Sequence, residues 1–155
     1  DTVFRLVRSL VGDSDAALDI TQEAFVSGFA ALKRYDPERP FRAWMSRIAV
    51  NKARDWARRR RVRSFFSRAV DIDEAITVAD ESPISDTIIF HRTELARAVK
   101  AIATLPHNLR EVLVLRTIED LPEADTATIL GISGKAVETR LYRARKQLNE
   151  ILGAS

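Results

Sequence analysis

The chain has 155 residues, 46% of them hydrophobic and 30% charged, and a formal net charge of +3. That length admits one ordinary domain or two very small ones and excludes large α/β enzymes and barrels, and no run of about 20 apolar residues offers a membrane span. With no Cys and only His91 and His107, the sequence lacks the parts for a disulfide framework, a thiolate metal site, a Cys nucleophile or a His-based metal cluster. Five Gly and five Pro stand among many Ala, Leu, Arg and Glu, and apolar and polar residues never alternate for long, so an all-α fold is expected. The start at Asp1, without Met or a signal-peptide apolar segment, reads as an internal or trimmed piece of a cytosolic protein.

Charge is distributed in blocks. Residues 1–38 carry −3, 39–68 carry +10, 69–96 carry −6 and 97–155 carry +2. In the basic block eleven Lys and Arg face a single acid, Asp55, the electrostatic footprint of a surface that meets phosphates. A solvated basic helix, or a tail for an acidic partner, would share that composition.

In chain order, a short helix is predicted over Val3–Val11, a break at Gly12-Asp13, and a second helix from about Asp15 to Arg34. Leu18, Phe25, Phe29 and Leu32, spaced 7, 4 and 3, form its expected core stripe. Asp19, Glu23, Val26 and Ala30, with Gln22 at the border, make a mixed acidic and apolar strip that reads either as a solvated edge or as a docking surface. Two prolines then hold Tyr35-Asp36-Pro37-Glu38-Arg39-Pro40 as a loop.

The helix expected over Phe41–Arg63 separates two faces. Phe41, Trp44, Met45, Ile48, Ala49 and Trp56 take one side, while Arg47, Asn51, Arg54, Arg58 and Arg61 follow at spacings 4, 3, 4 and 3 on another. Such a ridge is about 21 Å long at about 1.5 Å per residue, enough to follow several phosphates of one strand. Asn51 alone in it has both an amide donor and an acceptor, as base-edge reading requires, and Trp44 suits either core packing or an unstacked base. Asp55 is expected as a buried partner of a cation such as Lys52.

From about Phe65 to Arg92 the sequence turns acidic and Ser-containing, with Pro83 and no sustained helical period, and reads as a linker. Three or four helices are expected beyond it, over Thr93–Leu105, Asn108–Ile118, Glu123–Leu130 and Gly134–Leu152. Leu95, Val99, Ile102 and Leu105 stand in register in the first. Gly131-Ile132-Ser133 joins the last two as a helix-turn-helix: Gly131 ends one helix with positive φ, Ile132 fills the angle and Ser133 caps the next. The last helix turns Val137, Leu141, Ala144, Leu148 and Ile151 inward and Lys135, Thr139, Tyr142, Arg143 and Lys146 outward, the layout of a recognition helix. Arg143 suits a bidentate hold on a guanine edge, Thr139 and Tyr142 suit thymine methyls or phosphates, and Lys135 and Lys146 suit backbone neutralisation.

The run DITQEAFVSGFAALKRYDPERPFRAWMSRIAVNKARDWARRRRVR, followed after a linker by LPHNLREVLVLRTIEDLPEADTATILGISGKAVETRLYRARKQL, resembles bacterial RNA polymerase sigma factors of the extracytoplasmic function group of the sigma-70 family. The resemblance covers nearly the whole chain. It implies a sigma-2 domain at 1–64, an acidic flexible linker at 65–95 and a sigma-4 helix-turn-helix domain at 96–155.

Roles follow at matching positions. Asp19, Gln22, Glu23 and Val26 are implied to dock on the coiled coil of the polymerase β′ subunit, and the sigma-4 domain on the β flap. Tyr35 and its loop, Trp44 and Asn51 are implied to hold the minus-10 element as it melts, with Arg47, Arg54, Arg58 and Arg61 along the backbone. Lys135, Thr139, Arg140, Tyr142, Arg143 and Lys146 are implied to meet the minus-35 element, supported by Arg110. The linker is implied to thread toward the polymerase active site and RNA exit path. The implied partners are core RNA polymerase, promoter DNA and an anti-sigma protein, with no cofactor, metal or membrane insertion. The implied location is the cytoplasm, at the nucleoid when active and at the membrane when an anti-sigma protein holds it there.

The chain departs from the family pattern in several places. Lys135-Ala136 stands where Gly-Thr is usual, and Glu138 where Lys or Arg is common, so a different promoter preference is expected. Thr126 replaces an apolar residue and Glu123 a frequent Tyr, so a loosely packed or partner-stabilised C-terminal module is expected, and part of the first family helix is missing before Asp1. A second reading from another class is a sigma-like decoy that binds a regulator without engaging promoters. A simple helix-turn-helix repressor leaves the first half unexplained. Catalysis has no Ser/His/Asp set, glycine-rich phosphate loop or carboxylate cluster to work with.

Overall fold

A computed structural model describes residues 2–67 and 86–153, with side chains described for 2–65 and 94–153. Among the described residues the elements are α1 Thr2–Val11, α2 Ser14–Ala31, α3 Phe41–Ser67, α4 Asp86–Thr104, α5 His107–Leu113, α6 Glu123–Leu130 and α7 Gly134–Gly153. A 3-10 turn at Leu32–Arg34 follows α2, and a wide π turn at Val114–Ile118 continues α5. The all-α expectation holds. None of the described helices is long and apolar enough to cross a membrane.

Local chemistry accounts for the breaks. Gly12 takes φ +74°, where a side chain would strain the backbone, and Asp13 then caps α2 by accepting the Ala16 N–H at 3.0 Å. Gly131 ends α6 at φ +67°, and the Ser133 Oγ accepts the Ala136 N–H at 3.2 Å to start α7, so the helix-turn-helix forms as its residues require. Ile132 is partly buried against the core.

Two expectations are corrected. Leu18, Phe29 and Leu32 do not line the core of α2; they are 52%, 76% and 48% exposed, and Phe25 is 42% exposed. The buried face is Ala17, Ile20, Thr21, Ala24 and Gly28, of which Ala17, Ala24 and Gly28 are small enough to let neighbouring helices approach closely. A Cβ on Gly28 would lie 3.2 Å from the Met45 Sδ, so α3 is seated against bare backbone. Secondly, α4 begins at Asp86, inside the segment expected as linker, and α3 runs to Ser67. The rest of that acidic segment, 68–85, lies outside the described residues. On α4, Leu95 and Val99 are 66% and 45% exposed, so only the end of its expected apolar face is covered, by way of Ile102 and Leu105.

The two halves share one hydrophobic core. Leu6, Leu10, Ile20, Val50 and Ala53 from α1–α3 are continuous with Val112, Val114, Leu115, Ile129 and Val137 from the C-terminal half. A smaller cluster of Leu105, Leu109, Leu113 and Ala144 holds α7 onto α5. Val137 and Ala144 are buried, and Leu141, Leu148 and Ile151 pack at the edge, as the spacing of α7 requires.

Thr126, in place of the usual apolar residue, is fully buried and its Oγ1 has no hydrogen-bond partner. A desolvated hydroxyl without a partner costs about 1–3 kcal/mol, and Val has nearly its shape. Thr126→Val should therefore raise unfolding free energy by about 1 kcal/mol, read as a higher urea midpoint at unchanged m. A lower midpoint would mean that the hydroxyl is satisfied.

Candidate nucleic-acid interface

Three surfaces carry the residues singled out in the sequence. The first lies on α2, where Asp19, Gln22, Glu23 and Val26 come together with Ser27 and Lys52 around a shallow open depression. Lys52 and Arg59 both reach to 3.8 Å from the Glu23 carboxylate, so the acid is partly balanced by α3. Beside it Phe25, Phe29, Leu32, Phe41 and Trp44 line an apolar groove over Gly28 and Met45. A contiguous exposed apolar surface next to an acidic patch marks a place of protein contact. Helical periodicity finds this strip but assigns it to the core, because spacing alone does not say which apolar face is covered.

The second surface is the loop after α2 and the length of α3. Tyr35 donates its hydroxyl to the Arg39 carbonyl at 2.7 Å, and Asp36 accepts the Glu38 N–H at 3.1 Å, which closes the loop into a turn. The rings of Tyr35, Phe41 and Trp44 form a triangle with centroids 5.0 to 5.5 Å apart. Trp44 is partly buried in this cluster, which positions the loop, and Phe41 is half exposed. Arg47, Asn51, Arg58 and Arg61 stand exposed along α3 as the spacing requires. Asp55 pairs with a cation as expected, but with Arg58 at 3.0 Å, one turn away, and its carboxylate is about half exposed rather than buried. Arg60 lies over the Trp56 ring at 5.1 Å, an additional cation on the same helix.

Arg54 is placed differently from the rest of the ridge. Its Nε and Nη2 donate to the two oxygens of Glu111 at 2.6 and 2.8 Å, a bidentate pair with a carboxylate that is 2% exposed. The bond to Glu111 raises the Arg54 pKa above its ordinary value despite partial burial. His107 Nε2 lies 3.1 Å from the same carboxylate without the alignment of a hydrogen bond. Burial lowers the His107 pKa below its ordinary value, Glu111 opposes this, and the nearby Arg110, Arg54 and Arg61 reinforce it.

Arg110, expected on the phosphate side of the minus-35 contact, is a structural residue here. Its guanidinium donates to the Leu10 carbonyl at 2.7 Å, to the Leu105 carbonyl at 2.9 Å and to the Ala103 carbonyl, tying α5 to the ends of α1 and α4. Burial lowers its pKa, with Glu111 opposing. A second buried acid, Glu119, sits at the foot of the π turn at 1% exposure. Arg5 Nε reaches its Oε1 at 3.2 Å and Arg42 Nη2 its Oε2 at 3.1 Å, and Arg42 also donates to the Glu119 carbonyl at 2.5 Å. Neither Glu111 nor Glu119 stands out in the sequence, because one acid among many gives no periodic signal.

The third surface is the outer face of α7. Lys135, Thr139, Tyr142, Arg143 and Lys146 are exposed, Tyr142 at 70%, and Arg140 is partly covered. Thr139 donates its hydroxyl to the Lys135 carbonyl at 2.8 Å, and Lys135 lies 3.6 Å from Glu138. Among the described residues Arg143 and Lys146 meet no acid, so their charge is available to an outside partner. No three His, Cys, Asp or Glu side chains among the described residues come together as a metal site.

Comparison with known proteins accounts for both helical sets. Residues 1–63 match the family described as Sigma-70 region 2, and residues 95–148 match Sigma-70, region 4. The RNA polymerase sigma factor CnrH of Cupriavidus metallidurans is 42% identical over 139 residues, 88% of this chain and 73% of that protein. The ECF RNA polymerase sigma factor SigW of Bacillus subtilis is 30% identical over 158 residues, 98% of this chain and 83% of that protein. Among solved structures, CnrH in complex with the cytosolic domain of CnrY aligns over 99% of this chain and 81% of that one, with TM-score 0.70 and 35% identity. The fold is also that of the sigma factor RpoE in complex with the anti-sigma factor NepR from Bartonella quintana, over 98% of this chain and 90% of that one, with TM-score 0.78 and 23% identity. An arginine-ridged helix in the first match and a capped helix-turn-helix in the second place the chain in the extracytoplasmic function group of the sigma-70 family, the transcription initiation factors of bacterial RNA polymerase.

Proposed function

We propose that this chain binds core RNA polymerase through the exposed patch of Asp19, Gln22, Glu23 and Val26, with residues 1–64 meeting the minus-10 element and 96–155 the minus-35 element. It acts by binding, with no catalysis of its own, and helps open the duplex at the minus-10 region. The observation that supports this best is α7: a recognition helix set by a Gly131 αL cap and a Ser133 cap, with Tyr142, Arg143 and Lys146 exposed on one face. CnrH and RpoE have been captured with a cytosolic domain of CnrY and with the anti-sigma factor NepR, and an anti-sigma protein is the regulator proposed here as well. The apolar groove of Phe25, Phe29 and Leu32, beside the acidic patch, extends the polymerase-docking face. The site of action is the cytoplasm, at the nucleoid.

Run-off transcription with purified core polymerase and a genomic fragment library tests the proposal. Transcripts that share a minus-35 and minus-10 pair are expected only when the chain is added. Absence of core binding would favour the decoy instead, although a decoy has no use for the exposed arginines and Asn51. Within the same assay, Arg143→Ala should lose about 1–3 kcal/mol on the preferred promoter and relax one minus-35 position. Unchanged selectivity would remove Arg143 from the reading set.

A further inference from the structure

Glu138 is an acid on the exposed face of α7, set among Lys135, Thr139, Tyr142, Arg143 and Lys146 and one turn from both Lys135 and Tyr142. Its carboxylate has no part in starting the helix. Ser133 caps α7 through the N–H of Ala136, the third helical residue, and Glu138 lies two residues beyond, past the acid position of a capping box. Its partner is Lys135 at 3.6 Å, too long for a hydrogen bond, with the two side chains 87% and 59% exposed. A pair that exposed adds little to stability. An acid on a surface that approaches a polyanion opposes binding wherever it faces phosphate, and the fold gains little that would offset this.

The charges of α7 are also sorted along its length. Lys135 and Glu138 balance each other near its start, where the Glu123 side chain of α6 folds against Gly134, whereas Arg140, Arg143, Arg145 and Lys146 follow further on. The charge suited to phosphates lies in the later turns. The start of α7 is left for base edges, which a recognition helix reads with its N-terminal residues. There an ionised carboxylate can only accept. Guanine presents O6 and N7 in the major groove and thymine O4, all acceptors, so both repel it. Adenine has an N6 amino group beside the N7 acceptor, and cytosine has an N4 amino group with no acceptor beside it.

We propose that Glu138 reads a cytosine in the minus-35 element, accepting the N4 hydrogen that faces the major groove, and that Lys135 steadies the carboxylate for it. This rests on the promoter-binding reading above. It assigns a base and the side chain that selects it, at a position distinct from that of Arg143, which lies about 7.5 Å further along the helix.

The test is run-off transcription by core polymerase with the full chain, from a promoter found in the fragment library and remade with every minus-35 position randomised. The unaltered chain should favour cytosine roughly 5- to 30-fold at one position. Glu138→Ala should abolish that preference and keep the others, and Glu138→Gln should turn it toward adenine, whose N6 and N7 an amide takes together. On the preferred promoter, N4-methylcytosine puts a methyl group in place of the major-groove N–H. It should cost the unaltered chain roughly the same factor and leave Glu138→Ala indifferent, a difference that a packing role for Glu138 would not produce. Equal sensitivity of the two chains to the methyl group overturns the proposal. So does a uniform rise in transcription from all sequences in Glu138→Ala with base preferences unchanged, which would mean that the acid only repels phosphate. Selection of any base but cytosine at the position that Glu138→Ala relaxes overturns it as well. If Arg143→Ala relaxes a position and Glu138→Ala relaxes none, cytosine reading falls alone. If no form of the chain selects a minus-35 element, the promoter reading itself fails and takes the proposal with it.

Discussion

Leu115→Ala is expected to lower the stability of the whole chain by about 2–5 kcal/mol, with the first half losing as much as the second. Leu115 is fully buried at the π turn, in the cluster that runs from Leu6 and Leu10 through Val50 to Val137. Truncation leaves a cavity that such a junction cannot close without moving α1 against α5. Each half alone is about 60 residues, a size at which burial barely offsets chain entropy, so most of the margin comes from the surface they share. The two Trp residues, Trp44 and Trp56, both lie in the first half. Their fluorescence therefore reports unfolding of the half that does not contain Leu115. A shift of the Trp transition equal to that of the far-ultraviolet circular dichroism is the expected result. A Trp transition that stays in place while the helical signal moves would mean two independent cores.

Most of the helices were legible from the sequence, and so were the exposed basic faces of α3 and α7. Pro37 and Pro40 mark a loop, and Gly131-Ile132-Ser133 marks a turn, because these residues act through their own backbone geometry and need no distant partner. The end of α6 followed from Gly131, and the two faces of α7 from spacing. What depended on distant partners was not legible. The Leu18, Phe25, Phe29 and Leu32 stripe of α2 looks like a core because it is apolar, whereas Ala17, Ala24 and Gly28 are buried because smallness permits close helix contact. Arg54 fits the α3 ridge by spacing, and only the fold brings Glu111, 57 residues on, to its fork. Arg110 likewise matches a DNA-supporting position in the family pattern but here satisfies carbonyls at two helix ends. A buried acid has no periodic signature, so the ion pairs that join the halves could be found only in three dimensions.

Asn51→Ala is expected to slow promoter opening by about 2–3 kcal/mol, some 30- to 150-fold, while leaving affinity for core polymerase unchanged. Asn51 is exposed on α3, one turn from Arg47 and next in the ridge to Arg54, and 28 residues beyond the acid Glu23 of the docking patch. Its neighbour Lys52 lines that patch, whereas Asn51 is not among the residues around it. Turning a base out of the stack costs a few kcal/mol, and recovery depends on a pocket that satisfies the base edge once it is out. An amide offers donor and acceptor side by side, which the neighbouring guanidiniums cannot, since they only donate. On the proposed reading, removing it leaves the flipped base unsatisfied and the phosphate contacts of Arg47, Arg58 and Arg61 intact. Closed-complex formation and its salt dependence should therefore persist. Permanganate reactivity of unpaired thymines, followed in time on a promoter identified by run-off transcription, measures the opening step, and core affinity is measured on the same preparation. Equal loss of opening and of core binding would place Asn51 in the fold or in the polymerase contact, and an unchanged opening rate would leave base capture to the Tyr35–Pro40 loop alone.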